Sequence, residues 1–403
     1  MIEFPVPPPA GRRRWLADFG TLYAINGLVA FIFAATGPVA IILAVGAQGG
    51  LAESDLSSWI FGCFFINGLI SIGFCLYYRQ PLVFFWTIPG AVLVGPALGH
   101  LSFPEVIGAF IATGVLMAAL GISGWVRRCT EAAPMPIVMA MVAGVFLRFG
   151  TGLVHAVRDD IAVVGPMVVA FVVLMVWKKL ERIVPPLIGA MAVGIIAIVL
   201  FDKFSPGESA LRFAPPNFYL PAFSWQAMVE LVVPLAITVL VVQNGQGFAV
   251  LSAAGHRPPI GAIAVACGAG SIVTAFVGSV STCLTGPVNA IISSSGERHR
   301  HYSAGVAVGL LALAFGLLAP LFVRLLLSTP PAFIAALGGL AMLRVLQTAF
   351  SVSFGSGRFS LGALVTFLVT VADVSIFNVG AAFWGLVLGF GISWLLERGD
   401  FKR

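Results

Sequence analysis

Residues 81–100 read PLVFFWTIPGAVLVGPALGH, and residues 278–296 read GSVSTCLTGPVNAIISSSG. Both are apolar enough for a lipid bilayer, yet Pro and Gly break each of them in the middle. In the first, Leu82 to Ile88 is β-branched and aromatic, which favours extended backbone. Pro89 and Gly90 then allow a helix to start, because Pro is tolerated in a first helical turn. The second repeats the plan, with Ser279 to Leu284 expected to be extended and a short helix from about Gly286. About six extended residues and about ten helical ones together rise roughly one membrane thickness. Non-helical backbone at that depth survives only where protein buries it or where it lines a cavity. Two half-helices are therefore expected to begin near the bilayer midplane. Each offers unpaired N–H groups and a partial positive charge, a ready site for an anion or carboxylate.

The whole composition agrees with a bilayer. Of 403 residues, 59% are hydrophobic and 9% charged, and the mean hydropathy is +1.04. Soluble chains carry about 25% charged residues, so a soluble enzyme, a nucleic-acid-binding protein and a disordered scaffold are excluded together. The net charge of +6 reflects Lys and Arg gathered in cytoplasmic loops rather than affinity for nucleic acid. Five cysteines (Cys63, Cys75, Cys129, Cys267, Cys283) are odd in number and mostly sit in apolar stretches. They make neither a disulfide framework nor a metal-ligand spacing, and no metal or cofactor is expected. The adjacent acids Asp159 and Asp160 fall on an expected outer loop with no second acidic motif, which argues against a membrane enzyme.

Dividing the chain at charged and Pro/Gly-rich breaks gives spans near 22–46, 55–77, 104–126, 134–156, 160–177 and 184–201. After a polar outer loop at 202–223 come spans near 224–253, 259–277, 302–326, 330–350, 359–373 and 376–396. With the two broken stretches the count is fourteen. With the N-terminal tail (1–21) and the C-terminal tail (397–403) in the cytoplasm, sixteen basic residues fall inside and only Arg158, Lys203, Arg212 and Arg324 outside. That asymmetry satisfies the positive-inside rule, and it requires both broken stretches to count as crossings.

The two halves repeat at a nearly constant offset. Pro38 matches Pro234, Thr87 and Pro89 match Thr285 and Pro287, and Val126–Arg127 match Val323–Arg324. Pro134 and Arg148 match Pro330 and Arg344. Seven spans per half is an odd number, so the halves at 22–201 and 224–396 must be inverted. The fold expected is an all-α polytopic membrane protein: two inverted seven-span repeats, with short strands before half-helices 3 and 10. Inverted repeats belong to secondary transporters that alternate access.

The candidate binding residues gather at the breaks: Thr87, Ile88, Pro89 and Gly90 in the third span, and Ser281, Thr282, Thr285 and Gly286 in the tenth, with Asn289 there a weaker candidate. The eighth span adds Gln243, Asn244 and Gln246, amides that are costly in lipid unless paired; Asn26 in the first span is a weaker candidate. Phe84, Phe85 and Trp86 could stack on an aromatic ligand, with packing as the simpler role. Buried acids are few. Glu230 and Asp373 are the best placed to carry a proton, or each pairs structurally with Arg148 or Arg344.

At these residues the chain resembles the benzoate transporter family of benzoate/proton symporters. The stretches that carry the resemblance are TIPGAVLVGPALGHLSFPEVIGAF (87–110), PMPIVMAMVAGVFLRFG (134–150) and LTGPVNAIISSSGERHRHY (284–302). The family in turn resembles the uracil-permease type fold. This implies a core domain (spans 1–4 and 8–11) and a gate domain (spans 5–7 and 12–14). Where those nucleobase relatives carry acids in spans 8 and 10, this chain has Gln243 and Pro287, a difference that suits an anionic substrate and removes the obvious proton carrier. The expected function is import of benzoate or a similar small aromatic carboxylate with a proton across a bacterial inner membrane. A carrier of another anion or of a nucleobase is the alternative within transport, and a channel a more distant one. Membrane lipid is the surrounding solvent; a homodimer is allowed and not required.

Overall fold

The computed structural model describes residues 3–401 apart from 6–7, 9, 11, 127, 129–133, 178–183, 205–215, 295, 374–375 and 377–380. The pairing of Arg127 with Arg324, the charges at Lys178, Lys179, Arg182, Arg212, Lys402 and Arg403, and Cys129 lie outside the described residues.

A short helix α1 (Arg12–Asp18) leads into α2 (Thr21–Ala35), α3 (Gly37–Gln48) and α4 (Glu53–Tyr78). Strand β1 (Phe84–Trp86) and half-helix α5 (Ile88–Ala97) follow, then α6 (Phe103–Ser123), α7 (Met135–Asp159), α8 (Ile161–Val176) and α9 (Pro186–Leu200). The second half runs α10 (Trp225–Ala253), α11 (Ile260–Ala275), β2 (Thr282–Leu284), α12 (Gly286–Ile292), α13 (His301–Leu317) and α14 (Ala319–Leu327). It ends with α15 (Pro331–Phe354), α16 (Ser360–Ala372) and α17 (Ala381–Leu396). Among the described residues, seven helical stretches are long and apolar enough to cross a membrane, and six shorter apolar helices accompany them. Most of the expected spans fall on these helices; the broken stretch at 279–295 holds only the seven-residue helix α12, and the span at 302–326 is divided into α13 and α14. The first span also differs from a continuous helix: it breaks at Thr36, ahead of Pro38, where the missing N–H removes a helical hydrogen bond.

The packing repeats under exchange of the halves. α6 packs on α11, and their repeat mates α13 and α4 pack on each other. α8 packs on α9 as α16 does on α17, and α7 packs on its own mate α15. Small residues allow the closest crossings. A Cβ on Gly268 of α11 would lie 2.5 Å from the backbone nitrogen of Ala118 and 2.6 Å from the Gly114 carbonyl of α6, the close approach that small residues permit between membrane helices.

The extended segments are shorter than the sequence suggests, three residues each, and they pair antiparallel: Phe84 opposite Leu284, Phe85 opposite Cys283, Trp86 opposite Thr282. Buried strand edges must find partners where there is no water, and symmetric side chains supply them. The Phe84 N–H donates to Ser71 Oγ at 2.8 Å, and the Thr282 N–H to Ser271 Oγ at 2.9 Å. The Thr87 N–H donates to the Ser281 carbonyl at 3.0 Å and the Thr285 N–H to the Val83 carbonyl at 3.2 Å. Every one of these contacts has its mate in the other half.

Candidate functional site

A cavity of about 750 Å³ opens beside the strand pair. Its walls are largely apolar and aromatic: Phe33, Phe85, Trp86, Met139, Phe146 and Phe171. α2, β1, α5, α10 and α12 contribute one side, and α7, α8, α9 and α15 the other. It extends to Met135, Met175, Pro185 and Val352, at or beside the ends of α7, α8, α9 and α15. Among its described lining residues the polar side chains are Gln243, Gln246, Thr285, Thr348 and Arg344, and none is acidic.

The two break-point threonines are repeat mates with different surroundings. Thr87 is fully buried; its Oγ1 accepts from the Gly90 N–H at 3.1 Å and donates to Thr238 Oγ1 at 3.1 Å. The half-helix α5 is thus capped from within, and Thr87 does not line the cavity. Thr285 is partly exposed, makes no side-chain cap to α12, and lines the cavity. α10 winds as a π-helix over Met228–Val232 and Thr238–Gln243, the segments that hold Glu230 and Gln243. Single π turns inside α-helices recur at functional sites. Gln246, one turn further on, lies over the start of α12, where a Cβ on Gly286 would stand 2.6 Å from Gln246 Cγ.

The structure therefore separates the sequence candidates. Ile88, Pro89, Gln243, Gln246 and Thr285 line the cavity; Thr87, Gly90, Asn244, Ser281, Thr282, Gly286, Asn289 and Asn26 are not among its lining residues. Several of the latter hold the strands instead. Asn244 Oδ1 accepts from the Leu284 N–H at 2.8 Å, and Thr282 Oγ1 donates to Asn67 Oδ1 at 2.8 Å. Asn289 accepts from the Val83 N–H at 3.0 Å and donates to the Val83 carbonyl at 3.1 Å and the Thr285 carbonyl at 2.7 Å. Gly90 is buried against Thr87 and Leu235. Of the aromatic triplet, Phe85 and Trp86 face the cavity while Phe84 is core.

A second, smaller cavity of about 210 Å³ lies toward the opposite helix ends, lined by Gln48, Pro96, Gly152, Glu230, Arg148 and Asp373 among others. Asp373 forms an ion pair with Arg148, so the structural role fits it better than proton transfer. Glu230 pairs with His100, Oε2 to Nε2 at 2.8 Å. The sequence reading missed both His100 and the place of Arg344 in the large cavity. The signal was present for Arg344, since an ionisable residue deep in an apolar span is a functional candidate by default.

A family model described as benzoate membrane transport protein matches residues 18–395. The chain belongs to that family. Members are membrane transport proteins, and the resemblance read from residues 87–110, 134–150 and 284–302 points to the same family. The inner membrane protein YdcO of Escherichia coli is 28% identical over 395 residues, covering 96% of each chain. The benzoate membrane transport protein of Acinetobacter baylyi is 26% identical over 378 residues, covering 92% of this chain and 94% of its own. Among solved structures, the transmembrane domain of the cyanobacterial bicarbonate transporter BicA superposes with a TM-score of 0.65 at 15% identity, covering 95% of this chain and 99% of that one. The murine anion transporter Slc26a9 in its inward-facing state gives a TM-score of 0.65 at 16% identity, covering 96% and 70%. At such identities these likenesses establish the inverted-repeat fold, in agreement with the mated helix contacts.

Proposed function

We propose that this protein imports benzoate or a similar small aromatic carboxylate together with a proton across a bacterial inner membrane. The observation that carries the reading is the cavity itself: an apolar, aromatic enclosure for a ring, with polar groups (Thr285, Gln243 and Gln246) and no acid among the described lining. Its volume lies within the range of small-molecule sites. The family and the name of the Acinetobacter relative point the same way, and the name of the Escherichia coli relative supports the membrane. Thr285 and the two amides bind the carboxylate. The α2–α6 and α10–α14 elements act as a core that moves against a gate of α7–α9 and α15–α17. With both termini cytoplasmic, the large cavity faces inward. Glu230, buried beside His100, is the proton carrier in this scheme.

Uptake of labelled benzoate into liposomes containing the purified protein tests it. An imposed inward proton gradient is expected to drive accumulation, and unlabelled aromatic acids to compete while uracil, bicarbonate and sulfate do not. Competition by sulfate alone overturns the reading, as does flux that never saturates. Two variants refine it. Thr285→Val is expected to weaken benzoate affinity roughly 20-fold, the worth of one hydrogen bond to a charged group, at normal membrane expression. Glu230→Gln is expected to abolish gradient-driven accumulation and spare benzoate exchange; loss of both assigns Glu230 to structure.

A further inference from the structure

Arg148 and Arg344 occupy the same place in the two repeats, each fourteen residues after a proline, Pro134 or Pro330. At 1.5 Å per residue that is roughly 20 Å along α7 and α15, near the middle of a bilayer. A charged side chain at such depth is costly and is retained where it does something. The two helices cross here, with Phe149 against Gly338 and Gly339. From this crossing the arginines serve opposite cavities: Arg344 lines the large one, while Arg148 lines the small one and is ion-paired with Asp373. Arg344 is the residue with formal charge among the described lining of the large cavity. The other polar groups there are neutral. A guanidinium offers a carboxylate two parallel donors, and an apolar surround strengthens that attraction over its value in water.

We propose that Arg344 is the cation that receives the substrate's carboxylate in the large cavity, and that Arg148 does the same for the opposite cavity. There Asp373 occupies the guanidinium in place of substrate while that side is closed. The proposal rests on the aromatic-carboxylate reading above and assigns the charge recognition to the α7–α15 crossing. Substrate then touches both sides of the cavity, and its own carboxylate bridges them.

Equilibrium binding of labelled benzoate to the full-length purified protein, with thermal unfolding measured in parallel without benzoate, tests the first half. Arg344→Gln is expected to weaken binding roughly 30-fold, the loss of a charge-assisted pair, with the unfolding temperature unchanged. Arg344→Lys is expected to stay within about tenfold of the unmodified protein. Unaltered benzoate affinity in Arg344→Gln overturns the proposal. So does loss of binding in both variants together with a lowered unfolding temperature. If the unmodified protein binds no benzoate, the substrate reading itself falls, a distinct outcome. For the second half, a cysteine placed at Ala44, which lines the small cavity, reports access to a water-soluble maleimide. The native cysteines in the described residues are buried. Adding Asp373→Asn is expected to speed labelling several-fold, and an unchanged rate overturns the role given to Asp373.

Discussion

Gln243→Glu should reduce benzoate uptake at neutral pH by two to three orders of magnitude. Gln243 is 8% exposed and lines the cavity from the π-helical stretch of α10. A carboxylate there sets a second negative charge in the chamber that receives the substrate's own. Two like charges roughly 4–5 Å apart repel by about 3–4 kcal/mol at an effective dielectric constant near 20. Each 1.4 kcal/mol is a factor of ten in affinity. The loss should reverse in part as the medium is acidified, because burial and a nearby anion both favour the protonated, neutral carboxyl. Initial rates of uptake between pH 5 and pH 8, compared with those of the unmodified protein, check it. Equal uptake at pH 8 would sink the idea that this amide faces an anion.

Asn289→Leu should act on stability more than on affinity. Asn289 is fully buried, and its amide answers both the N–H and the carbonyl of Val83 as well as the Thr285 carbonyl. Leucine removes three hydrogen bonds and strands backbone groups in a dry interior, at about 1–3 kcal/mol for each group left unsatisfied. For a chain of this size, several kcal/mol correspond to a fall of about 5 °C in unfolding temperature. The fraction that remains folded should bind benzoate within about threefold of the unmodified protein. An unchanged unfolding temperature with lost binding would return Asn289 to the ligand.

These two residues mark the boundary of what the sequence alone reveals. Pro89 and Pro287 announced the breaks because proline chemistry is local: a missing N–H and a fixed φ act wherever they stand. The strand pair was legible only as two extended segments, since its register depends on residues about two hundred positions apart. The same limit hid the difference between Thr87 and Thr285. Thr87 loses its hydroxyl to Thr238, contributed by α10, and nothing in TIPG against TGPV reveals that partner. Asn244 and Asn289 are candidates for substrate contact in the sequence because amides in lipid need partners; in the structure they hold backbone groups at the strands, which only tertiary distance decides. Glu230 is buried as the sequence suggests, whereas Asp373, expected to be buried, is exposed at the end of α16. The pairing of Asp373 with Arg148 and of Glu230 with His100 needed the helices in place.

The pairing of Trp86 with Thr282 also has a bearing on how the protein is made. Ribosomes add about 5–20 residues per second, so roughly 10–40 s separate the emergence of the first strand from that of its partner. Throughout that interval the amino-terminal half sits in the translocon or the lipid with an incomplete edge. It cannot finish folding by itself, and two halves expressed as separate polypeptides would each expose the edge that the other is meant to close. Biogenesis of this transporter therefore calls for an insertion machinery or chaperone that shelters a half-built core until the carboxy-terminal repeat arrives.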